Sequence, residues 1–546
     1  MEVFRDIAVV SPLADLLIDA VNKVPDQDAI VFPQSRATYQ ELFDGALTFA
    51  KGLLALGVKK GDHVGLFTTN SIEFVQAFFG ISLVGGVVVP LNARHKTKEL
   101  TYIINNADLV ALFTTSDPEE YVNFGALVLE ALPAMRQVGP NGQLHVPDAP
   151  KLKNIVLLKG NANSLLMSRA EFNNLSSSVA DVDVDQRRLQ VSLRSAALIL
   201  YTSGTTANPK GCMLSHEAIV RGPVFRASTR FHSKARNVHW GAGPLFHIGS
   251  LAPLVGAIGV HGTYVTDEYF EPGRALALIE REKVTTAFPW FQAIVQSILD
   301  HPDFKADSFQ SILFMMLIGP RKLVERVQSV APNTEVLQGC GMTETAGIFG
   351  LSDLEDSQEE RCLRQGRAVP GIEVRIVDPE TGKDAEVNKV GEIWVRGYCV
   401  MNGYYNDPEK TAETLDSEGW LRTGDLYSRS ETGALCFNGR LKDMLKVGGE
   451  NVAAIEIEAF LCEHPSVKLA EVVGKPDPRL DEVPVAFVEL RPGCSANEEE
   501  LIEFCKGKIS SYKIPRAVHF MRADQWPMSA TKVNKRALRA MLEHQQ

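Results

Sequence analysis

The sequence predicts an α/β protein: a large N-terminal domain of two parallel-type αβ sheets plus a small β-rich subdomain, followed by a small α+β C-terminal domain. Three observations predict it. Short apolar runs alternate with amphipathic stretches through the N-terminal part of the chain. The same alternation resumes from Ala196 to about Gly350, and after Gly366 the texture shifts to short strand-like pieces. Alternation of this kind implies parallel sheets wrapped by helices, because a parallel pair of strands needs a crossover long enough to hold a helix.

Taken in order, Thr38 and Glu41 form a capping-box pair ahead of Leu42, Ala46, Phe49, Leu53 and Leu56. That three/four spacing places one apolar stripe on a helix ended by Gly57. A strand is predicted at Val64 to Phe67, a helix from Ser71, a strand at Val87 to Leu91, a helix around Lys98 to Asn106 and a strand at Leu109 to Thr114. Phe74 to Leu91 is apolar enough to raise the question of a membrane span. Gly85, Gly86 and Pro90 break it, which predicts a buried helix and then a buried strand. Pro140 to Asp185 reads as polar and irregular. Strand-like pieces follow at Glu373 to Val377 and Glu392 to Val395, separated by turns including Glu380 to Lys383. Gly439 to Lys446 is rich in charge, and Ala453 to Leu461 reads as a helix opening a final domain of about a hundred residues. The predicted border falls at Lys442, giving domains 1–441 and 442–546.

The 546 residues make roughly three or four domain-sized units at ~150 residues each. With 45% hydrophobic and 23% charged residues the composition is globular, which excludes disordered and fibrous classes. A net charge of −11 argues against non-specific affinity for nucleic acid or anionic lipid. The eight cysteines form no CxxC pair, so neither a zinc site nor a disulfide framework is indicated and reduced thiols are expected. No basic segment leads into an apolar one at the N-terminus, and the C-terminus carries no peroxisomal tripeptide, so a cytoplasmic location is expected.

The most informative stretch is Leu198 to Gly211, LILYTSGTTANPKG, an apolar strand running into a loop of hydroxyls and glycine that closes on Lys210. Thr202, Ser203, Thr205 and Thr206 supply hydroxyl donors, Gly204 lets the backbone approach an anion, and Lys210 adds a positive charge. A Walker loop would place a hydroxyl residue directly after its lysine, whereas Lys210 is followed by Gly211. The expected guest is a nucleotide polyphosphate held by a different loop.

Further motifs follow in order: PLFH at Pro244 to His247, QGCGMTET at Gln338 to Thr345, WLRTGD at Trp420 to Asp425, GRLKDMLKVGGENV at Gly439 to Val452 and TKVNK at Thr531 to Lys535. Together with YTSGTTANPKG they resemble the adenylate-forming superfamily of acyl-CoA synthetases, adenylation domains and luciferases, and the resemblance covers nearly the whole chain. It implies an AMP-binding acid:CoA ligase using ATP, Mg²⁺ and CoA. A carboxylate and MgATP would give acyl-AMP and pyrophosphate, and CoA thiolate would then displace AMP.

The resemblance also implies roles. The loop hydroxyls and Lys210 grip the β- and γ-phosphates, Glu344 is the Mg²⁺ ligand, and Thr343 donates to the α-phosphate. Gln338, Gly339 and Cys340 line the nucleotide. Asp425 accepts from both ribose hydroxyls with Arg440 beside it. Lys532 bridges carboxylate and α-phosphate, Lys442 is the hinge of a mobile C-terminal domain, and Gly448 and Gly449 flank the pantetheine arm of CoA. His247 gates the acyl pocket, with Trp290, Phe291, Gly319 and Met342 at its wall.

Three departures from the family pattern stand out. The glycine usual before the catalytic lysine is missing at Thr531–Lys532, which leaves Lys535 as an alternative. Cys340 replaces an aromatic ring against adenine. In LIGPRK, Leu317 to Lys322, only Gly319 is retained, and Arg321 is either solvated or answers a second acidic group on the substrate. The acceptor also stays open between CoA and an acyl carrier protein, and a non-catalytic nucleotide-binding homologue would keep the same motifs. Aromatic, short-branched and medium-chain acids all remain candidates, and the oligomeric state is open.

Overall fold

The computed structural model describes residues 10–117, 122–138, 143–202, 208–305, 307–319, 321–447, 450–528 and 533–543. The chain forms two compact units, Met1–Glu373 with Val395–Leu421, and Val374–Trp394 with Arg422–Gln546.

The first unit holds two seven-stranded sheets. One runs in the order Gly403–Tyr404, Lys210–Ser215, Ala196–Thr202, Val87–Pro90, His63–Phe67, Leu109–Ser116, Asn154–Gly160. Its strands from Ala196–Thr202 onward are parallel, and the first two strands are added antiparallel. The other runs Glu335–Leu337, Phe314–Ile318, Thr286–Phe291, Val238–Gly241, Thr263–Val265, Asp28–Val31, Arg36–Thr38. It is parallel except for the last pair.

Successive cycles along the chain therefore do not map onto successive sheets. Ala196–Thr202, which opens the second cycle in sequence, inserts beside Val87–Pro90 of the first cycle, and Asp28–Val31 joins the sheet built by the second. The reason is burial. Ala197, Leu198 and Ile199 are all fully buried, and a strand apolar on both faces is stable only where helices cover both sides.

Local signals along the chain are realised. In the helix Tyr39–Ala55 the Glu41 N–H donates to Thr38 Oγ1 at 3.2 Å and the Thr38 N–H donates to Glu41 Oε2 at 2.8 Å. Such a cap contributes ~1 kcal/mol. The chain leaves the helix through Gly57 at φ +81°. The helix Ile72–Leu83 is capped by Ser71 and buried nearly all round, with Phe74, Phe78, Phe79 and Ile81 in the core. Among the described residues no helix is long and apolar enough to cross a membrane.

The stretch expected to be irregular is not. It contains the edge strand Asn154–Gly160 and the helices Arg169–Ser176 and Asp181–Arg188. Each of these polar helices is held by an apolar anchor, Phe172 or Val184, too sparse a pattern to reveal a period. The Ser168–Glu171 capping box was the available signal.

In the second unit and at its sequence borders, Ile372–Val377, Gly391–Gly397, Leu421–Arg429 and Leu435–Arg440 make a four-stranded sheet. The remaining strands are Glu450–Ala453, Met444–Val447, Asp481–Leu490, Val467–Asp477 and Ala517–Phe520. They form a mixed sheet around which Ala454–Leu461, Glu498–Cys505 and Lys535–Glu543 are the helices.

Candidate active site

The strand Ala196–Thr202 turns back as Lys210–Ser215, with Thr202 and Lys210 directly opposed across the ladder. Both ends of the hydroxyl-rich loop are thus fixed, while Ser203, Gly204, Thr205 and Thr206 lie outside the described residues. The Lys210 ammonium is held below its usual pKa, first by burial and then by the charge of Lys410; Asp407, Glu344 and Glu413 oppose this. An ammonium partly stripped of water and repelled by a second cation gains from the arrival of a polyanion.

Glu344 sits on the 3-10 turn Thr343–Thr345, pinned where the Met342 N–H donates to Thr345 Oγ1 at 3.1 Å and Thr345 Oγ1 donates to the Gly347 carbonyl at 2.7 Å. Its carboxylate is buried and accepts from the Tyr404 hydroxyl at 2.8 Å, while its carbonyl accepts from the Met401 N–H at 2.9 Å. Thr343 opens the same turn. A hard carboxylate with a neighbouring hydroxyl suits Mg²⁺, which is held by one or two carboxylates with substrate phosphates and water supplying the rest. Among the described residues no cluster of three or more His, Cys, Asp or Glu side chains forms an all-protein cage.

Other predicted residues leave the C-terminal edge of the second sheet, where parallel strands collect ligands. Trp290 lies at the end of Thr286–Phe291, Gly319 follows Phe314–Ile318, and Gln338 follows Glu335–Leu337. His247 caps the helix Ile248–Gly259, its Nδ1 accepting from the Gly249 N–H at 3.1 Å. Trp290 adopts φ +63° at a register shift in its strand, a strained conformation for a bulky residue, and its buried indole N–H has no hydrogen-bond partner among the described residues. His247 and Trp290 meet at Gly249. A Cβ added there would lie 3.2 Å from His247 Nδ1 and 3.6 Å from Trp290 Nε1.

Not every residue of QGCGMTET faces a ligand. Gln338 spends its side-chain amide on the Arg361 and Cys362 carbonyls at 2.9 and 3.0 Å. Gly339 and Gly341 are required by close strand approach, since an added Cβ would meet the Gly350 carbonyl at 2.8 Å and the Gly347 carbonyl at 2.1 Å respectively. Cys340 is buried between them, and Met342 packs on the main core. Arg321 is exposed and pairs with Glu325 at 2.7 Å, the solvated alternative for that residue.

In the second unit, Asp425 and Arg440 are ladder partners, Arg440 Nε lying 3.1 Å from Asp425 Oδ1. Gly424, at φ +71°, turns the chain so that its N–H donates to Glu392 at 2.8 Å. Lys442 lies on the 3-10 turn Leu441–Asp443 between Leu435–Arg440 and Met444–Val447. Gly448, Gly449 and Lys532 lie outside the described residues. Lys535 is half-buried, with its ammonium on Glu458 and 3.5 Å from Glu471.

That cluster sets a pH dependence. Burial, and then the charge of Glu458, push the Glu471 carboxyl up to about 7 against the pull of Lys535. The folded protein thus holds this proton more tightly than the unfolded chain. Its contribution to stability is fully present below the ordinary value of 4.5 and is lost as pH rises through about 7. Glu471→Gln is expected to flatten this slope, raising the unfolding midpoint at about pH 8 relative to wild type and changing it least at about pH 4. Thermal unfolding followed by exchange protection of the helix Ala454–Leu461 checks this.

Tyr404 was not singled out from the sequence. It sits on a two-residue edge strand, too short for any periodicity to mark.

Compared with known proteins, residues 17–405 match the model for AMP-binding enzymes and residues 456–532 that for the AMP-binding enzyme C-terminal domain. The chain belongs to the AMP-binding enzyme family. Among curated relatives, a Mycobacterium tuberculosis CoA ligase for a propanoyl side chain on a methylated dioxo-octahydroindene is 33% identical, covering 95% of this chain and 97% of its own. The mitochondrial medium-chain acyl-CoA ligase of Rattus norvegicus is 31% identical over 97% of this chain and 87% of its own. Among solved structures, an anthranilate CoA ligase in complex with anthranoyl-AMP aligns with a TM-score of 0.84 at 25% identity, covering 99% of both chains. ATP-bound MatB from Rhodopseudomonas palustris aligns with a TM-score of 0.81 at 25% identity, covering 97% of this chain and 99% of its own. The adenylate-forming fold and the acyl-CoA synthetase relationship expected from the motifs are therefore established.

Proposed function

We propose that this AMP-binding enzyme is an AMP-forming acid:CoA ligase. The carboxylate oxygen of the acid attacks the α-phosphorus of ATP and pyrophosphate leaves; the CoA thiolate then attacks the acyl carbon and AMP leaves. The observation that carries this reading is the convergence of Lys210, at the end of the hydroxyl-rich loop, and Glu344 on the same side chain, Tyr404, the ammonium 5.4 Å from its ring centre and the carboxylate on its hydroxyl.

In this reading Lys210 and the loop hydroxyls bind the departing pyrophosphate, and preorganised charge stabilises what develops in the transition state. Glu344 holds the Mg²⁺, which neutralises the polyphosphate when bound. Asp425 and Arg440 bind the ribose, and His247 and Trp290 stand at the mouth of the acid pocket. Lys532 supplies the cation between carboxylate and α-phosphorus. The segment from residue 442 turns about Lys442 between the half-reactions, bringing Gly448 and Gly449 to the pantetheine arm.

The test is pyrophosphate release measured against a panel of aromatic, short-branched, medium-chain and oxo-substituted acids, with product masses recorded with and without CoA. Acid-dependent pyrophosphate release, with an acyl-CoA thioester formed only when CoA is present, is the expected result. Pyrophosphate release without any CoA thioester would point instead to a carrier-protein acceptor. ATP binding with silence across the panel would overturn catalysis. Lys210→Met is expected to lower pyrophosphate release by about 10²-fold, the usual scale for losing one preorganised charge.

A further inference from the structure

Asn70 stands between the strand His63–Phe67 of the first sheet and Ser71, the cap of the helix Ile72–Leu83, and its side chain reaches across to the second sheet. Nδ2 donates to the Gly243 carbonyl at 3.2 Å and to the Asp267 carbonyl at 2.9 Å, while Oδ1 accepts from the Leu245 N–H at 2.7 Å. Both amide N–H groups are used, and all three partners are main-chain atoms. Gly243 and Leu245 flank Pro244 in the segment that joins the strand Val238–Gly241 to His247, and Asp267 lies just beyond the strand Thr263–Val265. One side chain thus knits the C-terminal edges of both sheets, where ligands collect. Asn70 is 4% exposed, which keeps water from competing for these bonds. The rest of the segment is fixed too. Thr266 Oγ1 donates to the Gly241 carbonyl at 2.9 Å, and the His247 N–H donates to the Pro244 carbonyl at 3.1 Å. An added Cβ would lie 2.0 Å from the Tyr264 hydroxyl at Gly241 and 2.6 Å from Ser250 Oγ at Gly243, so the segment lies close against its neighbours. The position of His247 is therefore set by the frame before it and by the helix Ile248–Gly259 that it caps.

We infer that Asn70 is a positioning residue for the acid: by holding the main chain on both sides of Pro244, it sets where His247 stands at the mouth of the acid pocket. The inference rests on the reading of His247 as a residue of that mouth. Asn70 acts through the frame and not by touching the acid. Removing its amide leaves the Gly243 and Asp267 carbonyls and the Leu245 N–H without this partner, and the segment is then free to shift and to carry His247 with it. A displacement of about 1 Å in a group that orients a substrate can cost about 10²-fold in rate, and a loosened frame that is misplaced for part of the time costs less, about 10-fold. None of the three partners of Asn70 belongs to the residues assigned to the nucleotide, so the effect is confined to the acid.

The experiment uses the intact protein and an acid that supports pyrophosphate release in the panel above. It reads kcat and KM for the acid, and, by calorimetry, affinity for a non-hydrolysable ATP analogue. In Asn70→Ala, kcat/KM for the acid is expected to fall by about 10-fold, with affinity for the analogue within about twofold of wild type. Asn70→Asp has the same shape and keeps an acceptor for the Leu245 N–H but loses the paired donors. It is expected to move kcat/KM in the same direction and carries the test where Asn70→Ala does not fold. The His247→Ala background decides whether Asn70 acts through His247. There, adding the Asn70 substitution is expected to change kcat/KM for the acid by less than about twofold, because effects of residues that act through one another do not add. A further loss of about 10-fold in that background overturns the inference. So does a folded Asn70 variant with wild-type kcat/KM for the acid, or one in which analogue affinity falls in parallel. If His247→Ala itself keeps wild-type kcat/KM for the acid, His247 leaves the pocket mouth and the inference goes with it. If His247→Ala is impaired and the two substitutions add, the reading of His247 stands and only the role of Asn70 falls.

Discussion

Lys532→Ala is expected to reduce acid-dependent pyrophosphate release by about 10²–10³-fold, while acyl-AMP supplied ready-made is still converted to acyl-CoA at close to the wild-type rate. The size follows from losing one charge aimed at a developing oxyanion in a water-poor site. The asymmetry follows from the chemistry: only the first step builds charge between carboxylate and α-phosphorus. The second expels AMP from an anhydride already made. Single-turnover assays of the two half-reactions check both arms, and equal loss in both would remove Lys532 from the role proposed for it.

Lys535→Ala is expected to act differently, through stability. The Lys535 ammonium rests on Glu458 and lies 3.5 Å from Glu471, with side chains 17%, 13% and 18% exposed. Deleting the cation leaves two carboxylates facing each other with little water, a loss on the order of 3 kcal/mol. Arg539, one turn further along the same helix, pairs with Asp443 at 3.2 Å, so this helix is tied both to Ala454–Leu461 and to the turn that carries Lys442. Urea unfolding of the second unit should shift to lower midpoint in Lys535→Ala and stay near wild type in Lys532→Ala. Lys535→Arg, which keeps the charge, should recover most of the loss. A Lys535→Ala protein of wild-type stability that has lost only adenylation would instead make Lys535 the catalytic cation. The three-residue distance between these lysines is thus resolved by two different observables.

Much of the fold was legible because its signals are local. Thr38 with Glu41 and Ser71 with Phe74 each start a helix by satisfying N–H groups within one turn, and such bonds form wherever that turn forms. The border strands after Gly366 were legible as short strand-like pieces between turns, and Ile372–Val377 and Gly391–Gly397 extend the predicted pieces by one and three residues. The pairing of Asp425 with Arg440 was expected from matched motifs, and the hairpin between them makes it a ladder contact. Polar helices such as Asp181–Arg188 escaped, because one buried Val184 leaves no stripe to read.

The candidate site divides the same way. The hydroxyl-rich loop, its closing lysine and the Thr-Glu turn are contiguous motifs whose chemistry follows from residue type. Tyr404 carries no such mark, and the strained backbone of Trp290, a residue expected at the acid pocket, was not legible either, since both depend on which strands lie next to each other.

Local patterns and matched motifs along the chain were enough to mark an α/β member of the adenylate-forming superfamily, because capping, alternation and short motifs are contained within a few residues. Three-dimensional packing alone decided that Ala196–Thr202 completes the earlier sheet, that Gln338 spends its amide on main-chain carbonyls, and that Tyr404 joins Lys210 to Glu344. Burial selects those partners by covering apolar faces and pairing the polar groups left inside, and that selection acts between residues far apart in the chain.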